Sequence, residues 1–592
     1  MAKAKYHAII VGGGLAGLMS AIKIAEAGSN VSLFSLVDAK RSHSVCAQGG
    51  VNAAVNTKGE GDSPWIHFQE TIYGGDFLAN QPPVLGMCEE GPNLIYLLDR
   101  MGVMFNRTPE GFLQVEMRGG GTKFSRGLFA GATTGQQMLY ALDEQVRRFE
   151  AAGLVTRYEG WEFISIVKDD AGVCRGITAM NLRGDATARS FPADVVILAT
   201  GGCGSLFGKA TASHICNGSA ASSVYQQGAV YANGEFIQVH PTAIPGDDKC
   251  RLMSESLRGG GGRVWTYKDG KKWYFLEEWY PAYKNLVPRD VASRAIHKVC
   301  REMKLGIDGS DMVYLDVTHI PAADLDRLFG GALEIYEKFA GEDPRKVPMK
   351  VFPAVHYSMG GLWVDYKQMT NIPGLMAIGE CEYQYHGANR LGANALLSCL
   401  YAGFISGPIA LEYAKGLEKR SGDVDPGVFA AEAKRQQEIN QKIMSPRGKE
   451  NPFQIQSELS DWMWGNVTVV RYNDKLKKTD EKILELLDRF ERMDIADGSV
   501  WANQSLSLAR QLYNMLVLSR VITLGALNRN ESRGVHYKPE FPKRDDENWL
   551  KTTKAQWSPD GPVFSYEPVD VSLFKPRERR YDKEFKEEKK AL

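Results

Sequence analysis

The sequence places a histidine just beyond a glycine-rich turn, a spacing that suits chemistry on a bound dinucleotide. Residues 12–17 read Gly12-Gly13-Gly14-Leu15-Ala16-Gly17 and fit G-x-G-x-x-G. Gly12 allows a tight turn, Gly14 lets the backbone approach a pyrophosphate, and Gly17 lets the following helix lie against the strand. Residues 40–50 then read Lys-Arg-Ser-His-Ser-Val-Cys-Ala-Gln-Gly-Gly. A histidine in the place of His43 can be joined through a ring nitrogen to a flavin. Single histidines elsewhere, such as His240 and His356, read on their own as satisfied core residues.

The elements around the turn must position it. Residues 6–11 form a short β-branched run, a first strand. A helix over 15–27 follows, its free N–H groups aimed at phosphate, and Gly28 stops it. Residues 31–34 make a second strand. It ends in Phe34-Ser35, where an acid usually binds the ribose, so Ser35 offers one hydrogen bond instead. Two later apolar strands also end in glycine. One runs into Ala199-Thr200-Gly201-Gly202, and the other, at 375–378, into Gly379-Glu380. Two adjacent glycines suit close approach of backbone to a ligand. Glu380 is a candidate for the ribose hydroxyls that Ser35 serves poorly. Three such strands spread so widely predict one α/β, Rossmann-like FAD-binding domain interrupted by an insertion.

Seven motifs in one order carry a resemblance. They are Arg41-Ser42-His43-Ser44, Ala47-Gln48-Gly49-Gly50, His240-Pro241-Thr242, Ser254-Glu255-Ser256-Leu257-Arg258-Gly259, Pro288-Arg289-Asp290, His356-Tyr357-Ser358-Met359-Gly360-Gly361 and His386-Gly387-Ala388-Asn389-Arg390-Leu391-Gly392. The chain resembles the flavoprotein subunits of succinate dehydrogenase and fumarate reductase, in the bacterial style whose membrane anchor is a di-haem cytochrome b. The resemblance implies FAD joined by an 8α bond to His43. That bond withdraws electron density and makes the flavin a stronger hydride acceptor, which suits a diacid whose reacting carbons carry no heteroatom. It further implies FAD contacts from Gly13, Ala16, Ser42, Ser44, Gln48, Gly49, Gly50, Ala199, Thr200, Gly201, Ser219, Arg390, Ala395 and Leu396. For the substrate it implies Arg390, His240, His356, Ser254 and Gly49. Arginine suits a carboxylate because its planar fork gives two hydrogen bonds. Proton transfer falls to Arg289, relayed through Glu255 and Arg258, since an arginine with a pKa above about 12 makes an awkward base alone. The similar L-aspartate oxidases lack the attachment histidine.

Several positions depart from the family pattern. Arg118-Gly119-Gly120-Gly121 stands where many relatives carry Phe-Gly-Gly. Gly259-Gly260-Gly261-Gly262 lacks an acid. Cys216-Asn217-Gly218-Ser219 replaces Asn-Thr-Gly-Asp, and Ala393 and Ala395 replace Gly and Ser. These leave the reaction class alone and bear on substrate affinity and flavin contacts.

At 592 residues the chain suits about three or four domains. The expected division is an FAD-binding domain at 1–236 and 350–421, an α+β capping domain at 237–349, a helical domain at 422–539 and a small C-terminal domain or tail at 540–592. His356 and Arg390 would then lie on the FAD domain. The charged run near the end, Arg577-Glu578-Arg579-Arg580 and residues 583–590, reads as a solvated face. Lys+Arg and Asp+Glu both total 71, a balance that argues against nucleic-acid binding. No apolar run of about 18 residues is expected to cross a bilayer, and the N-terminus shows no signal peptide, so the chain is expected in the cytoplasm. Nine cysteines include no C-x-x-C pair and no metal site is predicted. Electrons must therefore leave through a partner. The resemblance supplies an iron–sulfur subunit and a cytochrome b anchor that reaches quinone, with this subunit peripheral on the cytoplasmic face of the membrane.

Overall fold

In this computed structural model the described residues are 6–115, 119–246, 249–445, 448–583 and 586. Residues 1–5, Arg118 and residues 584, 585 and 587–592 of the charged run lie outside them.

The strand His7–Val11 is buried on both faces, as a central parallel strand must be. It sits in the middle of a five-stranded parallel sheet. The order is Leu375–Ala377, Val195–Leu198, His7–Val11, Asn30–Ser35 and Val155–Glu159. The three strands that run into glycine are thus neighbours, and their loops meet at one edge. Helix Leu15–Glu26 covers the sheet and is itself covered by helix Asn394–Lys415. Gly403 permits that contact, because a Cβ there would come within 2.4 Å of the Ala16 carbonyl oxygen. Helix Asn394–Lys415 is long and apolar enough to cross a membrane by length and composition. It corrects the expectation that no such run exists, but its packing makes it a core helix.

Between Val155–Glu159 and Val195–Leu198 the chain makes a three-stranded antiparallel sheet, starting with Trp161–Lys168. A six-stranded antiparallel sheet occupies the insertion. Its two longest strands, Ile237–Ile244 and Met349–Ser358, are neighbours in it. The expected return to the FAD domain at 350 falls inside the second of these strands. His356 therefore stands on the insertion's sheet rather than on the FAD domain, because antiparallel pairing with Ile237–Ile244 holds the chain there until Ser358. Helices Pro426–Met444, Pro452–Asn466, Asn473–Phe490 and Gln504–Asn528 follow. In Asn473–Phe490, Ile483, Leu486 and Phe490 form the buried stripe while Leu484 is exposed.

The C-terminal segment is docked. Strands Lys551–Gln556 and Val563–Pro568 extend a small sheet with Tyr231–Ala232 and Gly361–Leu362. Beyond them Phe574, Arg579 and Tyr581 are buried. Arg579 donates to both Asp290 oxygens, at 2.6 and 2.9 Å. Arg579 thus departs from the expected solvated face, while Glu578 and Arg580 on either side of it are exposed. Arg579 found a buried carboxylate, which a reading by sign alternation does not anticipate.

Candidate active site

One cavity of about 660 Å³ joins the glycine turn to the arginines. Its lining includes Ser35 and Trp161 as well as Gly12, His43, Arg289 and Arg390. The remaining FAD residues expected from the sequence also line it, except Gly17. Gly17 serves packing instead, since a Cβ there would meet the Gly12 carbonyl oxygen at 2.0 Å. Gly12 has φ +116°, and its Cβ would lie 2.1 Å from the Ala199 carbonyl oxygen. Only glycine therefore fits.

The cradle suits a dinucleotide. Helix Leu15–Glu26 points its N-terminus at it with no acidic residue in the first turn. Ser42 Oγ and Gln48 Oε1 are buried without hydrogen-bond partners among the described residues. Such groups call for a polar ligand.

His43 is held by Ser213, whose backbone N–H donates to Nδ1 at 3.2 Å. Nδ1 is thus engaged, and Nε2 is the other ring nitrogen. Burial and nearby Lys249 push its pKa down to about 4, so the ring is neutral and nucleophilic near neutral pH.

The opposite end is built from charge. Arg289 begins helix Arg289–His297. Its Nε donates to Glu255 Oε2 at 2.9 Å and its Nη1 to Gln238 Oε1 at 3.1 Å. Glu255 Oε1 accepts from Arg258 Nη2 at 3.1 Å, and Arg258 is anchored on the Asn285 carbonyl. Burial by itself would raise the Glu255 carboxyl, but Arg289, Arg258 and Arg390 outweigh it and hold it at about 2. The three residues form a continuous Arg–Glu–Arg chain. Arg390 lies 4.5 Å over the Tyr357 ring, and its Nε is buried without a partner among the described residues. Burial, then Arg289, lowers its pKa to about 9, so an anion placed here would be welcomed.

His356 donates to or accepts from Thr211 Oγ1 at 2.7 Å through Nδ1, and it lines the cavity. His240 lies one layer behind, its ring 5.1 Å from that of His356. Thr242 N donates to its Nδ1, while Nε2 is buried and unpartnered among the described residues. Burial, Arg289, Arg258 and Arg390 keep His240 neutral. Ser254 lines the cavity, and Arg258 stands outside it behind Glu255.

One family departure has a steric reason: a Cβ on Gly260 would sit 2.1 Å from the Phe329 ring. At Gly119 a Cβ would meet only Thr122 Oγ1, at 3.7 Å, so crowding does not explain the missing aromatic there. Ala393 holds a left-handed φ of +64° at the start of Asn394–Lys415. Sequence reasoning missed Gln238, which positions Arg289. It lies two residues before His240 on one strand, hence on the same face, and strand parity would have found it. Ser213, Thr211 and Lys249 carry no such signal.

Residues 7–396 match the family described as FAD binding domain, and 456–581 that described as Fumarate reductase flavoprotein C-term. The chain is 65% identical over 577 residues to a succinate dehydrogenase flavoprotein subunit of Bacillus subtilis (strain 168), covering 97% of this chain and 98% of that one. It is 33% identical to a fumarate reductase flavoprotein subunit of Serratia sp., covering 98% and 97%. The fold matches a solved E. coli quinol fumarate reductase chain with a TM-score of 0.92 at 32% identity, covering 98% and 99%.

Proposed function

Because the chain belongs to the family of succinate dehydrogenase and fumarate reductase flavoprotein subunits, FAD-dependent oxidoreductases, we propose that it serves a membrane-bound succinate:quinone oxidoreductase. One juxtaposition supports the mechanism: the Arg289–Glu255 pair shares a cavity with Arg390, His356 and His43. When bound, FAD accepts the hydride equivalent that leaves one carbon of the diacid. The chain's own residues do the rest. Arg390 grips one carboxylate with its fork, while His356 and Ser254 orient the substrate and His240 backs His356. Arg289 takes the proton from the neighbouring carbon and shares it along Glu255 and Arg258. Run in reverse, on fumarate, Arg289 is simply an acid. His43 Nε2 holds the cofactor by an 8α bond.

Electrons then pass to an iron–sulfur subunit and on to quinone, through a di-haem cytochrome b anchor that keeps this subunit on the cytoplasmic face of the membrane. Absence of any C-x-x-C pair among the nine cysteines supports the need for that partner.

Acid-denatured protein run on a gel is expected to show flavin fluorescence moving with the polypeptide, and His43→Ser to abolish it. Arg289→Ala is expected to keep the fluorescence and lose succinate oxidation. Substantial turnover by Arg289→Ala would remove its proton-transfer role.

A further inference from the structure

We propose that Glu162 is the carboxylate that receives a ribose hydroxyl of FAD, standing in for the acid that the second strand lacks. This rests on the FAD assignment of the cavity. In dinucleotide folds the ribose lies at the C-terminal end of the second strand, where an acid binds its hydroxyls. Here that strand, Asn30–Ser35, ends in serine. Another serine, Ser219, follows Gly218 at the same part of the cavity. Gly160 N donates to the Ser35 carbonyl at 2.9 Å, which brings the start of Trp161–Lys168 alongside that strand end.

Glu162, the second residue of Trp161–Lys168, lines the cavity and is only 6% exposed. Gln511 Nε2 donates to its Oε1 at 2.9 Å. Gln511 Oε1 in turn accepts from Asn217 Nδ2 at 2.6 Å. Glu162 Oε2 is buried and has no hydrogen-bond partner among the described residues. An unsatisfied buried carboxylate oxygen is unfavourable, and a ligand hydroxyl would satisfy it. Burial pushes this carboxyl's pKa up, against Ser507, Gln511 and Arg510, as expected of an acid waiting for a donor. Gln511 belongs to helix Gln504–Asn528, so the helical region takes part in holding the cofactor.

The test uses the full-length chain carrying His43→Ser, which makes cofactor binding reversible. The apo protein is titrated with FAD, with FMN, and with an FAD analogue whose adenosine lacks both ribose hydroxyls, following flavin fluorescence. Glu162→Ala is expected to weaken FAD binding roughly 10- to 100-fold, the loss of one hydrogen bond to a charged group, and to leave FMN unchanged. The analogue is expected to bind the parent as weakly as FAD binds the variant, with no further loss on Glu162→Ala. Glu162→Leu keeps the side-chain bulk should alanine not fold. Equal losses for FAD and FMN, an undiminished effect with the analogue (a donor on the adenine), or no loss would each overturn the proposal. A parent protein that takes up no FAD would overturn the cofactor assignment too, and shows itself before Glu162 is changed.

Discussion

Arg289 is clasped by a fixed carboxylate on one side and Gln238 on the other, the setting that its proposed part in proton transfer requires. The carboxylate must stay ionised. Glu255 contributes its full stabilisation above the unfolded pKa of about 4.5 and loses it as pH falls toward 2. The neutral histidines act at higher pH. His240 and His356 are both held well below 6.5 by burial first, then by the arginines. The unfolded chain binds protons at these rings below about pH 6.5 and the folded chain does not. Their contribution is therefore intact above that pH and lost as pH falls from it. Each group adds up to about 1.4 kcal/mol per pH unit. Urea midpoints measured between pH 7.5 and 5.5 are expected to fall, and the His240→Asn/His356→Asn double variant is expected to flatten the slope. For substrate, Arg390→Lys keeps the charge and loses the fork. Succinate kcat/KM is expected to drop by roughly 100-fold, equivalent to about 3 kcal/mol, while covalent flavin on a denaturing gel stays unchanged.

Elements deliver these residues by local irregularity. The pairing of Ile237–Ile244 with Met349–Ser358 steps from Gln238 opposite Tyr357 to Val239 opposite Val355, which leaves His356 without a ladder partner. Such a bulge re-aims a side chain, here toward the cavity. Helix Arg289–His297 is fixed from outside. Asp290, in its first turn, accepts from Arg579 of the C-terminal segment and from Arg294. Asp290 directly follows Arg289 in the chain. Removing one partner of a buried ion pair typically costs about 3–5 kcal/mol. Arg579→Met is expected to lower the unfolding free energy, measured by urea denaturation, by a comparable amount. A double-mutant cycle with Asp290→Asn should return most of that loss as coupling, and additive effects would show that the two residues act separately.

At the scale of the molecule, the cavity lies between a parallel sheet that holds the glycine turn and an antiparallel sheet that holds His240 and His356. A site divided this way can close around a diacid and exclude water. Malonate, a diacid with no two-carbon unit to desaturate, is expected to stabilise the folded protein. At a hundred times its Kd the gain should be about 2.7 kcal/mol. Arg390→Lys is expected to need far more malonate for the same shift in unfolding temperature. Structures with and without malonate should differ in the angle between the two sheets, and identical angles would argue against closure.

Local physics made the glycine turn, the first strand and helix and the three glycine-ended strands legible from the residues alone, whereas the attachment proposed for His43 came from resemblance to a family. Steric freedom and short-period patterning act over a few neighbours, and so leave a trace in the chain. The Arg–Glu–Arg chain entered through resemblance to a family, as separate motifs. Other features arose only on folding. Gln511 meets Glu162 across 349 residues and Arg579 meets Asp290 across 289. The His356 bulge depends on the register of two strands far apart in sequence, and helix Asn394–Lys415 is a core helix only because Leu15–Glu26 lies against it. Pairing between distant side chains follows no period, so packing alone decided which charges are buried and which carboxylate oxygen was left open for a ligand.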